Sequence, residues 1–335
     1  MKATEIPTVS VIIASYATER WSYLSAAVAS VRAQTVIPDE IIVVVDHNPA
    51  LFERARAAFT DILVLENTAG RGASGARNCG VAAARGDVVA FIDDDVSAAA
   101  QWLAQLLPPY ADPCVLGVGG AIDPAWEGGR PIWFPDEFAW VVGSTYRGLP
   151  TTPTPIRNLI AANMSVRRAA FQSLGGFRAG FGKVGARPRP EETDLCIVAR
   201  QRWPTGQWLY VPAARVDHHV PRERGRFGYF CRRCYEEGRG KADLVDLVGA
   251  RDSLSAERDY VSRVLPAGVA RGLGEVLRCG DLSGLSRAAS ILGGLALTAA
   301  GYIHGRALTR GYAAAPFTSW SGAPRSGAPV AEALP

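Results

Sequence analysis

The first hundred residues predict an α/β fold, a parallel sheet covered by helices, and three observations carry the prediction. Four β-branched runs are apolar without alternation, the pattern of strands buried on both faces. Between them, apolar residues recur at helical spacing. The runs end in polar groups, Ser15, Asp46 and the triple aspartate Asp93, Asp94 and Asp95, at the carboxyl ends of strands, where open α/β sheets bind ligands.

The elements follow in order. "TVSVIIASY" (Thr8 to Tyr16) reads as the first strand, and Leu24, Val28 and Val31 mark the helix after it. "DEIIVVVD" (Asp39 to Asp46) and "DILVLEN" (Asp61 to Asn67) are the second and third strands. A glycine-rich stretch then leads into a helix from Ser74 to Ala84, and "VVAFI" is the fourth strand. From Gln101 to about Pro221 the pieces shorten. Trp126, Trp133 and Trp140 are sevenfold spaced, but Pro131 and Pro135 interrupt the run, so a loop-rich lobe with its aromatics in the core is expected. From Arg226 to about Arg310 the pattern is helical, and from Gly311 it reads as a disordered tail. The expected organisation is residues 1–225 as the main domain, with a nucleotide-binding half (1–100) and an acceptor-side half (101–225), then helical region 226–310 and tail 311–335.

At 335 residues, with 48% hydrophobic and 20% charged positions, the chain can bury a full core. A net charge of +4 does not call for nucleic acid, and no basic helix interleaves the aromatics of a reader module. The N-terminus lacks the apolar stretch of a signal peptide, and six cysteines without framework spacing fit a reducing compartment. A cytoplasmic location is expected. Ala288 to Ile303 is apolar but shorter than the ~20 residues a span needs, and Gly293, Gly294, Thr298 and Gly301 dilute it. Flanked by Arg287, His304, Arg306 and Arg310, it reads as a helix on the inner membrane face or as a buried or dimerising one, with a spanning helix the least favoured of the three.

Three consecutive carboxylates at a strand end cannot all point the same way, yet their charges sit close together, so cations are expected nearby. "GRGASG" (Gly70 to Gly75) matches the dinucleotide fingerprint, which makes an NAD- or FAD-binding oxidoreductase the rival reading. It follows the third strand rather than the first, however, and a ribose needs one acid, not three. Extra anionic charge beside a diphosphate is resolved by a hard divalent ion, Mg²⁺ or Mn²⁺.

The series "VSVIIASY", "IIVVVDHNP" and "GASGARNCGVAAARGDVVAFIDDD" resembles the family 2 glycosyltransferases of bacterial type, over residues 8 to 240 in motif order. The resemblance implies a GT-A fold, a Rossmann-like mixed sheet with helices, and inverting, metal-dependent transfer from a nucleotide-sugar donor, with a UDP-sugar expected. Carried over by position, it places Ser15, Asp46, Arg77, Asn78, Asp93 and Asp94 around the nucleotide. Asp95 becomes the metal ligand, with Asp93 beside it. Asn163, opening a strand in "NLIAANMSVRR", resembles the segment near donor sugar and acceptor. A histidine of "RVDHHVP" resembles an extra metal ligand of some members, with His218 preferred to His219.

Inverting transfer also needs a carboxylate to take the acceptor hydroxyl's proton. "RPEETDLCIVARQRW" supplies Glu191, Glu192 and Asp194 at the start of a helix expected to be amphipathic; acids there also simply suit a helix N-terminus. Glu192 occupies the slot of the family's usual base, and Glu191 and Asp194 stay open as alternatives. "SLGGFRAGFG" resembles the family's Gly-Gly-Phe turn with Arg178 where an acid often follows. Cys231 and Cys234 of "CRRC" have metal-ligand spacing but fall on one face of a helix, so buried thiols are expected over a zinc site with His218 or His219. The expected partners are a nucleotide-sugar donor and a glycan, lipid-linked or small-molecule acceptor in the cell envelope. A non-catalytic nucleotide-sugar-binding protein is the third reading.

Overall fold

A computed structural model describes residues 6–68, 70–182, 190–249 and 255–309; the tail from Gly311 lies outside them. The first half builds β1 (Val9–Ser15), α1 (Trp21–Arg32), β2 (Glu40–Asp46), α2 (Pro49–Ala58), β3 (Leu63–Asn67), α3 (Ala73–Ala83) and β4 (Val88–Asp93). The four strands and α3 match their expected bounds within a residue or two, α1 holds Leu24, Val28 and Val31, and α2 is a further helix between β2 and β3. β5 (Val96–Ala98), α4 (Trp102–Leu106), β6 (Val115–Trp126), β7 (Thr154–Ile156), β8 (Asn163–Arg167), α5 (Arg168–Ser173), α6 (Glu191–Arg202) and β9 (Gln207–Val220) follow.

The strands form one sheet in the order β3-β2-β1-β4-β8-β6-β9-β5, with β7 on β9. β1, β2, β3 and β4 are mutually parallel, as their two-sided apolar runs require. β8 lies antiparallel between β4 and β6, so the whole sheet is mixed. Alternation sends Val11 and Ile13 to one face, against Leu24, Val28 and Trp102, and Ile12 to the other, against Ala76, Val81 and Phe171. Both faces are dry, and the polar strand ends project from the covered sheet.

The C-terminal region is helical, as expected: α7 (Phe227–Val248), α8 (Ser255–Asp259), a π-helical stretch Tyr260–Val264, α9 (Leu265–Cys279) and α10 (Ser283–Thr309). α7 and α10 approach backbone to backbone. A Cβ at Gly238 would overlap the Thr298 carbonyl, and one at Gly301 the Tyr235 carbonyl. Thr298 and Gly301, which dilute the apolar run, therefore make a helix contact, Gly294 packs against Phe138 and Phe230, and Gly293 faces open space; none of them ends the helix, which runs to 27 residues. It is long and apolar enough to cross a membrane by length and composition, with a third of its apolar window buried. Phe134, Phe138, Phe230, Leu265 and Ile291 form a third core shared by these helices and the loop-rich lobe. Trp126, Trp133 and Trp140 pack against it, so the sevenfold aromatics are core.

Candidate active site

β4 delivers the triple aspartate at its carboxyl end, and the turn that begins at Asp94 splits it. Asp93 turns toward α3, where Arg77 meets it at 2.6 Å. Asp94 and Asp95 turn toward the loop after β1. The Ser15 hydroxyl donates to Asp94 at 2.6 Å, and Arg20 bonds Asp94 at 2.7 Å and also pairs with Asp95. Sheet register brings the histidine in: Val96 of β5 lies opposite His218 of β9. His218 Nε2 therefore stands 3.4 Å from Asp95, with Arg224 at 3.8 Å. The His219 ring instead stacks on Tyr23, whose hydroxyl is 2.8 Å from its Nε2.

The cations called for by three carboxylates are thus Arg77, Arg20 and Arg224. Of these, only Arg77 was named from the sequence. Arg20 and Arg224 carry no motif; the signal for them was the charge they had to balance.

Burial works against the charge of both inner carboxylates, with opposite outcomes. It pushes the Asp94 carboxyl up to about 6 even though Arg20 and Ser15 pull it down. For Asp95 the burial cost is outweighed by His218, Arg20 and Arg224, which hold it well below the usual carboxylate range.

Arg77 is buried and reaches Glu191 on the far side, 2.9 Å away, so one guanidinium joins the aspartates to α6. Its pKa is raised: the burial penalty is overcome by Asp93, Glu191 and Glu192. α6 is not the amphipathic helix expected. Thr193, Asp194, Leu195, Cys196 and Ile197 are buried in succession, because the helix is covered by the sheet on one side and by α7 on the other.

Its acids are treated unequally. Glu191 pairs with Arg77, and Asp194 takes both ends of Arg178 at 3.0 and 3.1 Å. The arginine in the Gly-Gly-Phe turn thus compensates a helix acid. Glu192 is half-buried and has no ion pair among the described residues. Burial, then the neighbouring Glu191, raises its pKa well above the ordinary carboxylate range.

Three other named residues are held by protein atoms. Asp46 accepts from Asn67 Nδ2 at 2.6 Å and from the Gly72 N–H at 2.8 Å, with His47 Nδ1 also 2.8 Å away. It does not cap the next helix; Asn48 does, accepting from the Leu51 N–H. The glycine-rich loop closes on itself, since a Cβ at Gly75 would overlap the Gly70 carbonyl. Asn78 spans the Gly-Gly-Phe turn, donating to the Phe177 carbonyl at 2.8 Å and accepting its N–H at 2.9 Å. Asn163 donates to the Ala121 and Ala214 carbonyls and accepts from the Trp102 indole. Both asparagines therefore brace the scaffold around the site.

Among the described residues no three His, Cys, Asp or Glu side chains gather as a metal cage. Asp95 and His218 are a two-ligand arrangement, with the buried His218 Nδ1 lacking a hydrogen-bond partner. An oxygen and an imidazole ligand completed by substrate phosphates suit Mn²⁺ or Mg²⁺. Cys234 is buried at the α7–α10 contact, where burial pushes its thiol up, as expected of a core cysteine.

The comparisons with known proteins agree with this geometry. Residues 10–175 match the model of Glycosyl transferase family 2. The chain is 36% identical, over 72% of its length and 78% of the relative's, to the glucosyl-dolichyl phosphate glucuronosyltransferase of the archaeon Haloferax volcanii. Among solved structures it resembles the mannosyltransferase PcManGT of Pyrobaculum calidifontis in complex with GDP-Man and Mn²⁺ (TM-score 0.54, 17% identity, 88% of each chain). It also resembles GalNAc-T7 with UDP, GalNAc and Mn²⁺ (TM-score 0.52, 20% identity, 76% of this chain and 54% of that one). Both share the GT-A fold. The chain belongs to glycosyltransferase family 2.

Proposed function

We propose that this protein is an inverting, metal-dependent transferase that moves a hexose from a nucleotide-sugar donor, a UDP-sugar in the first instance, to a hydroxyl of a lipid-linked acceptor. The observation that carries the reading is the Arg77 bridge: it ties Asp93 to Glu191 and leaves the adjacent Glu192 as the one acid of this helix start without a cation among the described residues. Glu192 takes the acceptor hydroxyl's proton, and its raised pKa is the direction a general base needs. Ser15 and Arg20 orient Asp94 and Asp95, and Arg77 keeps Glu191 from rotating away. Asp95 and His218 hold the divalent ion, which when bound offsets charge on the leaving diphosphate. The Haloferax relative, named for a dolichyl phosphate substrate, supports a lipid-linked acceptor.

The dinucleotide rival is disfavoured because the Gly72 N–H, which would face a pyrophosphate, is taken by the Asp46 carboxylate. Calorimetric binding of UDP, GDP and NAD, each with Mn²⁺ and with EDTA, tests the proposal on the wild type and on Asp95→Ala. Metal-dependent binding of one nucleoside diphosphate, abolished in Asp95→Ala, is expected. Metal-independent NAD binding that survives the substitution would sink it. Nucleotide binding without turnover on any lipid-linked acceptor would leave the non-catalytic reading.

A further inference from the structure

Away from the aspartates, a cavity of about 310 Å³ opens between the loop-rich lobe and the C-terminal helices. Four arginines line it: Arg130, Arg147, Arg271 and Arg287. Their acid partners do not match them one to one. Arg271 pairs with the buried Glu137, and Arg287 with two acids, Glu275 at 2.5 Å and Asp281 at 3.0 Å. Arg130 and Arg147 share the single carboxylate of Asp136, at 2.6 and 2.7 Å. The surplus positive charge therefore sits at the Arg130–Arg147 end of the cavity, where two guanidinium forks meet one carboxylate, and such forks match phosphate oxygens.

The cavity adjoins an apolar surface with no cover among the described residues. Ile132 at its lip is 75% exposed. The turn between α9 and α10 presents Leu277 and Leu282, 86% and 73% exposed. Along α10 the outward positions Leu285, Ala289, Leu292, Ala296, Ala299 and Ile303 follow helical spacing without a charge. An uncharged stripe of this length beside an arginine cavity has the two-part chemistry of a lipid phosphate: an anion for the forks and hydrocarbon for the helix.

A short segment connects the cavity to the active site. The 3₁₀ segment Asp136–Val142 starts at the cavity wall and ends at Gly143, where a Cβ would stand 2.9 Å from His218 Cε1. At ~2 Å per residue the two ends are about 14 Å apart.

We infer that this cavity binds the phosphate of a lipid-phosphate-linked acceptor while the outer faces of α9 and α10 lie on the hydrocarbon. The inference rests on the glycosyltransferase reading and names the group by which its acceptor is held. The test is sedimentation of the full chain with phosphatidylcholine vesicles that are plain, doped with dolichyl phosphate, or doped with phosphatidylglycerol at equal negative charge. Dolichyl phosphate vesicles are expected to bind about tenfold more tightly than either of the others. The Arg130→Gln/Arg147→Gln variant should fall to the phosphatidylglycerol level, and Leu277→Asp/Leu282→Asp should lose all three.

Equal binding to both anionic vesicles, or full binding by the arginine variant, overturns the cavity assignment. If the leucine variant keeps its vesicle binding and loses a concentration-dependent dimer, the face belongs to a second copy and the inference fails. UDP binding with Mn²⁺ on every variant confirms the fold. Absence of metal-dependent binding of both UDP and GDP from the wild type, with the lipid result intact, would sink the transferase reading and leave the lipid site standing.

Discussion

Two acidic clusters face the same arginine and are neutralised differently. At the end of β4 every carboxylate has a cation: Asp93 has Arg77, Asp94 has Arg20, and Asp95 has Arg20 and Arg224, with the His218 ring beside it. At the start of α6 the outer two are paired, Glu191 with Arg77 and Asp194 with Arg178, and Glu192 between them has no cation among the described residues. A cluster held by movable side-chain cations can exchange one of them for a metal ion. A carboxylate left without a cation and pushed toward neutrality by burial is suited to move a proton. The difference separates a binding role from a proton-transfer role better than residue type does, since both clusters are simply acids in the sequence.

The largest effect that could break this comparison is on turnover. Glu192→Gln should lower kcat by about 10²- to 10⁴-fold while leaving metal-dependent UDP binding unchanged, because only the proton acceptor is lost. The same variant should be more stable than wild type. A carboxyl whose folded pKa is raised keeps its proton longer in the folded chain than in the unfolded one, so stability falls as pH rises through the raised value. Glutamine removes that loss, and the gap in Tm should widen from pH 5 upward. A variant with full kcat would move the base to Glu191 or Asp194.

A third acid, outside the site, sharpens the contrast with the opposite sign. Glu257 of α8 bonds Arg157 at 2.5 and 3.0 Å and Lys241 of α7 at 2.5 Å. Burial would raise its pKa, but Lys241 and Arg157 prevail and bring it from 4.5 to about 2. A depressed carboxyl stabilises the fold above its unfolded pKa and loses that contribution as pH falls through the folded one. Glu257→Gln should therefore cost about 3 kcal/mol at pH 7 and almost nothing near pH 2, read from urea unfolding at each pH. An equal cost at both would mean that packing, not charge, is what the residue supplies.

Arg20 tests the exchange itself. Arg20→Ala should destabilise the metal-free protein by about 2 kcal/mol, less than a fully buried pair because His218 and Arg224 remain and Arg20 is partly exposed. Mn²⁺ should then raise the variant's Tm by more than it raises the wild type's. An identical Mn²⁺ response in both would show that Arg20 does not compete with the ion.

How much of this could be read in advance depended on whether the signal was local. The four parallel strands, α1 and α3 declared themselves because each apolar run is its own evidence. The same held for the carboxylates, whose crowding in "IDDD" forecast the cations around them. What stayed hidden depended on tertiary partners. Arg20 and Arg224 sit in short 3₁₀ turns and matter only because β1 lies beside β4 and β9 pairs with β5 just after the triple aspartate. α6 looked amphipathic because its second cover, α7, lies far along the chain. The apolar run of α10 looked too short because glycine was read as dilution, whereas in the fold it is the contact.

The smallest effect concerns the neighbours Arg77 and Asn78, which the family pattern treats as one nucleotide-facing pair. In the fold they diverge: Arg77 points between the acidic clusters, while the Asn78 amide is occupied at both ends by the Phe177 backbone. That turn needs the brace. Gly175 and Gly176 have φ of 80° and 75°, and a Cβ at Gly176 would stand 2.7 Å from Asn78 Oδ1. The turn also carries Arg178, the partner of Asp194, so loosening it would release one end of α6. Asn78→Ala should thus cost about 1–2 kcal/mol of stability through two lost hydrogen bonds. It should lower kcat modestly and leave the donor KM unchanged. A raised donor KM with unaltered stability would restore Asn78 to the nucleotide and make the two residues a single recognition unit after all.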